Sequence, residues 1–245
     1  MTAVTQGRLA VGIVGAGPVA IAMAQALAGA GHLLVGIAPN ANDDRERAEA
    51  MLEGVDILAV GEVLARGELV ILAVDEGELV PTIGGISDAK LWKTGQLVAH
   101  TSPSFGYGVL SSAAQAGVIP LAIHPAMRFT GTSLDQNRMR ETFFAVAAPK
   151  VALPIAQALV IEMGAEPVVI EEEQRAAYAE AFEVATNFSA LVVNQAIGLL
   201  ESAGNQNARG IIAPTVRSAV ETALDDGHTP IDPADILREN PEGGR

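Results

Sequence analysis

Four short segments carry most of the residues in this 245-residue chain whose types and spacing suit chemistry, and each follows an apolar run. The first, Gly15-Ala16-Gly17-Pro18-Val19-Ala20, has the spacing G-x-G-x-x-G/A. In that pattern the first glycine makes a tight turn and the second leaves room for a phosphate to reach the backbone. The small sixth residue lets the following helix sit close to the preceding strand. Pro18 suits a first helical turn, where its missing N–H costs nothing, and the N–H groups behind it at Val19 and Ala20 face any anion placed there. The expected ligand is the pyrophosphate of a dinucleotide; the alternative is a purely structural turn.

The other three segments are Val74-Asp75-Glu76, His100-Thr101-Ser102-Pro103-Ser104 and His124-Pro125-Ala126-Met127-Arg128. Ligands of open α/β sheets lie beyond the carboxyl ends of the strands, so Val74 and Asp75 are expected beside the cofactor and the two histidine segments beside the substrate. Hydride reduction of a carbonyl or imine also needs a proton donor active near neutral pH, a task suited to His124 or His100. Thr101 and Ser102 offer hydroxyls to a reacting oxygen or carboxylate, and Arg128 offers a guanidinium fork. Against this, His100 can be a satisfied core residue and His124 a turn residue before Pro125. His32 and His228 read as surface residues, and no His/Asp/Glu grouping has metal-ligand spacing.

Residues 174–202 read as one long helix on which Glu180, Glu183, Asn187 and Asn194 share a face. Asn187 stands in the apolar stretch Val184-Ala185-Thr186-Asn187-Phe188-Ser189-Ala190-Leu191, where a buried amide would require a partner such as substrate or cofactor. A polar stripe that is merely solvated is the competing reading.

The elements that must position these groups follow from the apolar pattern. Runs of strand length at 9–14, 33–38, 69–74, 96–100, 118–124 and 143–147 alternate mostly with helical segments, the signature of βαβ units. We therefore expect an α/β fold, a doubly wound parallel Rossmann sheet over 1–170, followed by a smaller, mostly helical domain over 171–245 that ends in a loose tail from 225. Further helices are expected at 18–30, from 40 to 51, at 151–163 and at 214–224, with a short strand at 167–170.

Bulk properties exclude several classes. A net charge of -14 with no local Lys/Arg cluster argues against nucleic acid. No apolar run reaches the roughly 20 residues of a membrane helix, and residues 1–8 lack a signal-peptide core, so a cytoplasmic protein is expected. With no Cys there is no thiol chemistry or disulfide. At the end of the second strand, where an NAD site usually has an acid for the ribose, stands Ala38-Pro39-Asn40-Ala41-Asn42. Without that acid a 2′-phosphate is not repelled, and Asn40, Asn42 or Arg45 could contact it, so the expected cofactor is NADP or NAD with NADP preferred. Arg45 and Arg47 can equally pair with Asp43, Asp44 or Glu49 along their own helix.

Taken together, the glycine loop, Leu69-Val-Ile-Leu-Ala-Val-Asp75, His100-Thr-Ser102, His124-Pro125 followed by Phe129, and Arg175-Ala-Ala-Tyr178 with Asn187 and Phe188 resemble the 6-phosphogluconate-dehydrogenase-like superfamily. Within it they resemble the Rossmann-like proteins that carry the domain of unknown function numbered 2520. The resemblance spans most of 8–224. It implies an NAD(P)-dependent oxidoreductase acting on a small 2-oxo acid, 3-hydroxy acid or imine. It also implies a helical C-terminal domain that pairs two subunits into a homodimer, and a site in which Asn187 orients substrate. Relatives often carry Lys where Arg175 stands, and the narrower group often has His in place of Ala179. Because Arg stays protonated, Arg175 fits the role of a carboxylate or phosphate binder, and the acid role passes to His124 or Tyr178. A prephenate- or arogenate-dehydrogenase-like enzyme and a non-catalytic nucleotide-binding protein are the rival readings; the substrate itself stays open.

Overall fold

The computed structural model describes residues 8–40 and 42–227, with the side chains of 42 and 43 excepted. The chain divides into two compact units between Phe182 and Glu183. The first is built on a seven-stranded sheet of order β2-β1-β3-β4-β5-β6-β7, with β1 Ala10–Val14, β2 Leu33–Ala38, β3 Leu69–Leu72, β4 Leu97–His100, β5 Ile119–Pro125, β6 Phe143–Ala147 and β7 Glu166–Val169. Helices α1 (Pro18–Gly29), α2 (Asn42–Met51), α3 (Val60–Arg66), α4 (Glu76–Asp88), α5 (Ser111–Gln115), α6 (Leu134–Met139) and α7 (Leu153–Glu162) connect the strands, and α8 (Arg175–Glu183) follows β7.

The apolar runs are continuous because the strands are covered on both faces, as buried parallel strands require. Side chains alternate between two cores: Val11, Ile13, Leu69 and Ile71 pack with Leu27 and Leu159, whereas Val14, Val70 and Leu72 pack with Val63, Leu79 and Ile83. Gly12 lies under α3, where a Cβ would stand 2.6 Å from Val63 Cγ1.

Strands β2, β1, β3, β4 and β5 run parallel, and β6 is antiparallel to β5. A parallel return needs a crossover that runs back along the sheet. The only helix between β5 and β6 is α6, six residues and so about 9 Å long. The sheet is thus mostly rather than wholly parallel. Because β2 and β3 flank β1 on opposite sides, the strand order reverses beside β1, and the crevice this opens lies at the carboxyl ends where the glycine loop begins.

One sequence expectation is corrected here. His32 is not a surface residue: it is 9% exposed, its Nδ1 accepts from the Leu9 N–H at 3.1 Å, and its Nε2 lies 2.8 Å from Glu162. The partner, 130 residues away in sequence, could not be seen in a loop-like local context. Residues 175–202 are helical without a break, as expected, but not regular, because a π turn at Val184–Phe188 joins α8 to α9 (Ser189–Ser202).

The second unit, Glu183–Arg245, holds that π turn, α9 and α10 (Ala208–Asp225), and the two helices pack on each other. α10 begins before Pro214, which lies inside it. Of the two readings of Asn187, the solvated one holds: the residue is exposed, and its amide donates to Glu183 Oε1 at 3.5 Å. His228 and nearly all of the expected tail lie outside the described residues. Among the described residues no helix is long and apolar enough to cross a membrane, and none group as a metal site.

Candidate active site

The glycine loop has the local geometry of a phosphate cradle. Gly15 adopts φ +99°, and a Cβ there would stand 2.1 Å from the Ala73 carbonyl oxygen, so the turn packs directly on the end of β3. Its N–H donates to Ala38 O at 2.8 Å. Gly17 differs: its φ of -64° suits any residue, and a Cβ would meet nothing within 4 Å. The fold therefore needs no glycine at 17, and the open space in front of it is what a glycine would protect for a ligand. Pro18 occupies the first turn of α1, followed by Val19 and buried Ala20; no side chain caps this end and no acid stands in the turn. An uncapped helix start facing open space fits a pyrophosphate.

Behind the loop, Val74 packs into the second core and exposed Asp75 precedes α4. At the end of β2, Asn40 Nδ2 donates to Glu78 Oε2 at 2.8 Å. A carboxylate from α4 thus stands beside the end of β2, a placement invisible from the local sequence. Arg45 lies 4.0 Å from Glu49 along α2. Arg47 pairs with Asp44 at 2.6 Å and also reaches Ala16 O in the glycine loop at 3.5 Å. The side chain of Asn42 is outside the described residues.

At the end of β4, His100 is fully buried. Its Nε2 lies 2.9 Å from Gly106 O, and its Nδ1 accepts from Ser102 N–H at 3.3 Å. Burial is the main reason its pKa falls to about 4; the Gly106 carbonyl raises it and Arg175 lowers it. The ring is neutral, with Nε2–H donating to Gly106, and has no nitrogen left for substrate. This assigns His100 to holding the loop, a correction of its expected place among the substrate contacts. Ser102 Oγ donates to Glu76 Oε2 at 3.1 Å and accepts from Ser104 N–H, while Thr101 is half-buried at the mouth of the same loop.

At the end of β5, His124 is 6% exposed and sits 2.7 Å through Nδ1 from Tyr178 Oη on α8. Phe182, one turn on, packs edge-to-face at 4.7 Å. Burial first, then the charge of Arg175 and the neighbouring His100, lower the His124 pKa to about 3. Burial pushes Tyr178 up to about 12, although Arg175 pulls it down. A neutral imidazole against a protonated phenol is a pair able to hold and pass one proton. Arg175 itself is 2% exposed, and among the described residues its Nε, Nη1 and Nη2 have no hydrogen-bond partner. Arg128 is exposed, on the loop after β5.

That loop carries a feature no sequence signal pointed to. Buried Asp135 accepts from Thr130 N–H, Thr130 Oγ1 and Gly131 N–H at 2.8–3.1 Å. Burial alone would raise its pKa, but these bonds outweigh it and hold the carboxyl below its ordinary value. The loop so fastened sets Gly131 near Pro18, where a Cβ on Gly131 would lie 3.6 Å from the proline ring. Glu172 is a second such residue: its carboxylate accepts from Gly108 N–H at 3.2 Å and fills the space a Cβ on Gly106 would need.

A family model described as a Rossmann-like domain matches residues 1–125. The chain belongs to the Rossmann-like domain family. A second model, a domain of unknown function (DUF2520), matches residues 142–231, in agreement with the resemblance noted from the motifs. None of the curated proteins matches this Rossmann-like protein. Among solved structures, a candidate NADP oxidoreductase from Bacteroides fragilis is 18% identical, with a TM-score of 0.75 over 95% of this chain and 88% of its own. The imine reductase of Streptomyces aurantiacus is 21% identical, with a TM-score of 0.64 over 86% and 73%. A pyrroline-5-carboxylate reductase from Coxiella burnetii is 15% identical, with a TM-score of 0.62 over 97% and 87%. At these identities the similarity is one of fold.

Proposed function

We propose that this protein is an NAD(P)-dependent oxidoreductase acting on a small carbonyl compound, hydroxy acid or imine, with the His124–Tyr178 pair as its proton source. The observation that carries the reading is the 2.7 Å contact of this pair at the carboxyl end of β5. That is the edge of the sheet on which the glycine loop also opens. Solved structures of similar fold include a candidate NADP oxidoreductase, an imine reductase, a 3-hydroxyisobutyrate dehydrogenase and a pyrroline-5-carboxylate reductase, which supports the same class.

Gly15, Gly17, Val19 and Ala20 would hold the cofactor pyrophosphate on backbone, with Asn40, Val74 and Asp75 around the remainder. A bound nicotinamide supplies or accepts a hydride. The chain's own part is to hold a proton at Tyr178 Oη, replenish it through His124 Nδ1, and exclude water with Phe182. Thr101 and Arg128 are proposed as polar substrate contacts. Glu78 beside Asn40 leaves NAD and NADP on an even footing at the ribose.

The test is oxidation of NADH and NADPH in the presence of 2-oxo acids and cyclic imines, with Tyr178→Phe and His124→Ala alongside. Both variants should retain cofactor binding and lose turnover by about 100-fold, within the usual range for a general acid. Wild-type turnover in both variants would remove the pair from the reaction. Binding without any turnover by the wild type would favour a nucleotide-binding protein that is not an enzyme.

The second unit leaves Phe188, Leu191, Val192, Leu199 and Leu224 exposed by 58–76%. Apolar surface of this extent supports a homodimer through α9 and α10. Light scattering should give twice the chain mass of 25.2 kDa, and a monomer at micromolar concentration would reject the assembly.

A further inference from the structure

The guanidinium of Arg175 is in a position that the described residues do not account for. Among them, its three buried nitrogens have no hydrogen-bond acceptor, although a guanidinium has five N–H donors. It opens α8, so a positive charge stands in the first turn, where the helix dipole favours a negative one. None of the groups beside it hydrogen-bonds it. Tyr178 presents a ring face at 5.9 Å, Glu172 attracts it electrostatically while one carboxylate oxygen accepts from Gly108 N–H, and His100 and His124 are neutral rings. An unpaired buried charge is among the costliest features a fold can carry. The cost falls away if an anion is brought to it, and a planar fork matches a carboxylate through two parallel N–H···O bonds.

The same charge bears on the proton relay. Burial does most to keep His124 uncharged, and the charge of Arg175 adds to it ahead of His100. While His124 is neutral and its Nδ1 accepts, the Tyr178 proton is engaged in the bond between them. If His124 gains a proton, Nδ1 donates instead and the phenol proton is free to be given elsewhere.

We propose that Arg175 is the receptor for a carboxylate on the substrate, and that docking this carboxylate loads one proton from solvent onto His124, arming Tyr178 only when substrate is present. The balance is simple: the carboxylate enters as an anion and stays one, one H⁺ is taken from bulk water, and nothing is oxidised or reduced. The groups facing His124 are Tyr178, Phe182 and Arg175 from α8 and His100 from β4; none is an acid, so the incoming carboxylate is the only negative charge added beside it. The inference extends the oxidoreductase reading by naming its substrate class, but its test does not depend on turnover.

Oxamate, an unreactive 2-oxo-acid mimic, and its neutral counterpart oxamide serve as probes. Titration calorimetry at pH 6 in two buffers of different ionisation enthalpy, with and without NADP⁺, should give oxamate binding with uptake of at least half a proton, and no oxamide binding. Arg175→Met should weaken oxamate at least 30-fold and abolish uptake. This variant removes an unpaired buried charge and should fold at least as stably as the wild type. Arg175→Lys, which keeps the charge and loses the fork, should bind oxamate several-fold more weakly yet retain uptake. His124→Asn should bind oxamate without taking up a proton. Equal binding of oxamide, or unchanged oxamate binding in Arg175→Met, would overturn the receptor. Oxamate binding without uptake in the wild type would overturn the arming step. Nucleotide binding is read separately in the same cell: its absence beside intact oxamate binding would strike the oxidoreductase reading and leave the carboxylate receptor standing.

Discussion

Gly17→Val will fold with near-wild-type stability and lose nucleotide binding by at least about 100-fold, equivalent to about 2.7 kcal/mol. The backbone at 17 has φ -64°, which valine adopts readily, and a Cβ there meets no atom within 4 Å. The branched side chain would instead fill the space that a phosphate needs to reach the N–H groups of α1. Gly15→Ala is the contrasting variant. Its φ of +99° and the Ala73 oxygen at 2.1 Å from a Cβ mean that the β1–α1 turn must separate from β3, a loss of about 3–5 kcal/mol. Urea unfolding separates the two effects, and the rise in melting temperature caused by NADH or NADPH reports binding to the native state. A Gly17→Val protein that is still stabilised by nucleotide would reject the glycine loop as the phosphate site.

Acidification will destabilise the protein well above the pH at which its carboxylates titrate. In the unfolded chain His100 and His124 take protons near their ordinary value of 6.5, whereas the folded state refuses them until about 4 and about 3. Between pH 6.5 and 4 the unfolded state therefore binds more protons, and stability falls as pH falls. The slope reaches up to about 1.4 kcal/mol per pH unit for each histidine. Asp135 acts in the same direction but lower down: its folded pKa is held below 3.8, so its contribution is present above that value and is lost only in stronger acid. Urea midpoints at pH 7, 6 and 5 should decline, and His124→Asn should remove about half of the decline. A flat profile in the wild type would mean that the two rings are not held neutral.

The two predictions draw on information of different kinds. The glycine loop was legible because its requirements are local. A turn at positive φ, a close approach and a helix start fall on six consecutive residues, and the pattern of apolar runs on either side tells strand from helix. The mostly parallel sheet was legible for the same reason, since strands buried on both faces cannot alternate with polar residues. The antiparallel β6 was not, because the direction of a strand depends on the length of its connection rather than on its own composition. His32 was misplaced by a related limit. Its loop-like local context suggested an exposed histidine, and surroundings set by the fold reversed it; for Asn187 the local sequence left burial and exposure open, and the fold exposes it.

What the sequence by itself determined is the Rossmann framework, the glycine turn between β1 and α1, and the placement of His100, His124 and their polar neighbours at strand ends. These follow from short-range patterns that the chain cannot evade without leaving backbone polar groups unpaired. Only the tertiary structure decided which histidine is free to act. His100 spends both nitrogens on Ser102 and Gly106, while His124 turns to Tyr178, 54 residues away. It also brought Glu78 to Asn40 and left Arg175 buried without an acceptor among the described residues. Each of these depends on contacts between elements far apart in the chain, and their electrostatic consequences arise from burial, a property that no residue possesses until the chain has folded around it.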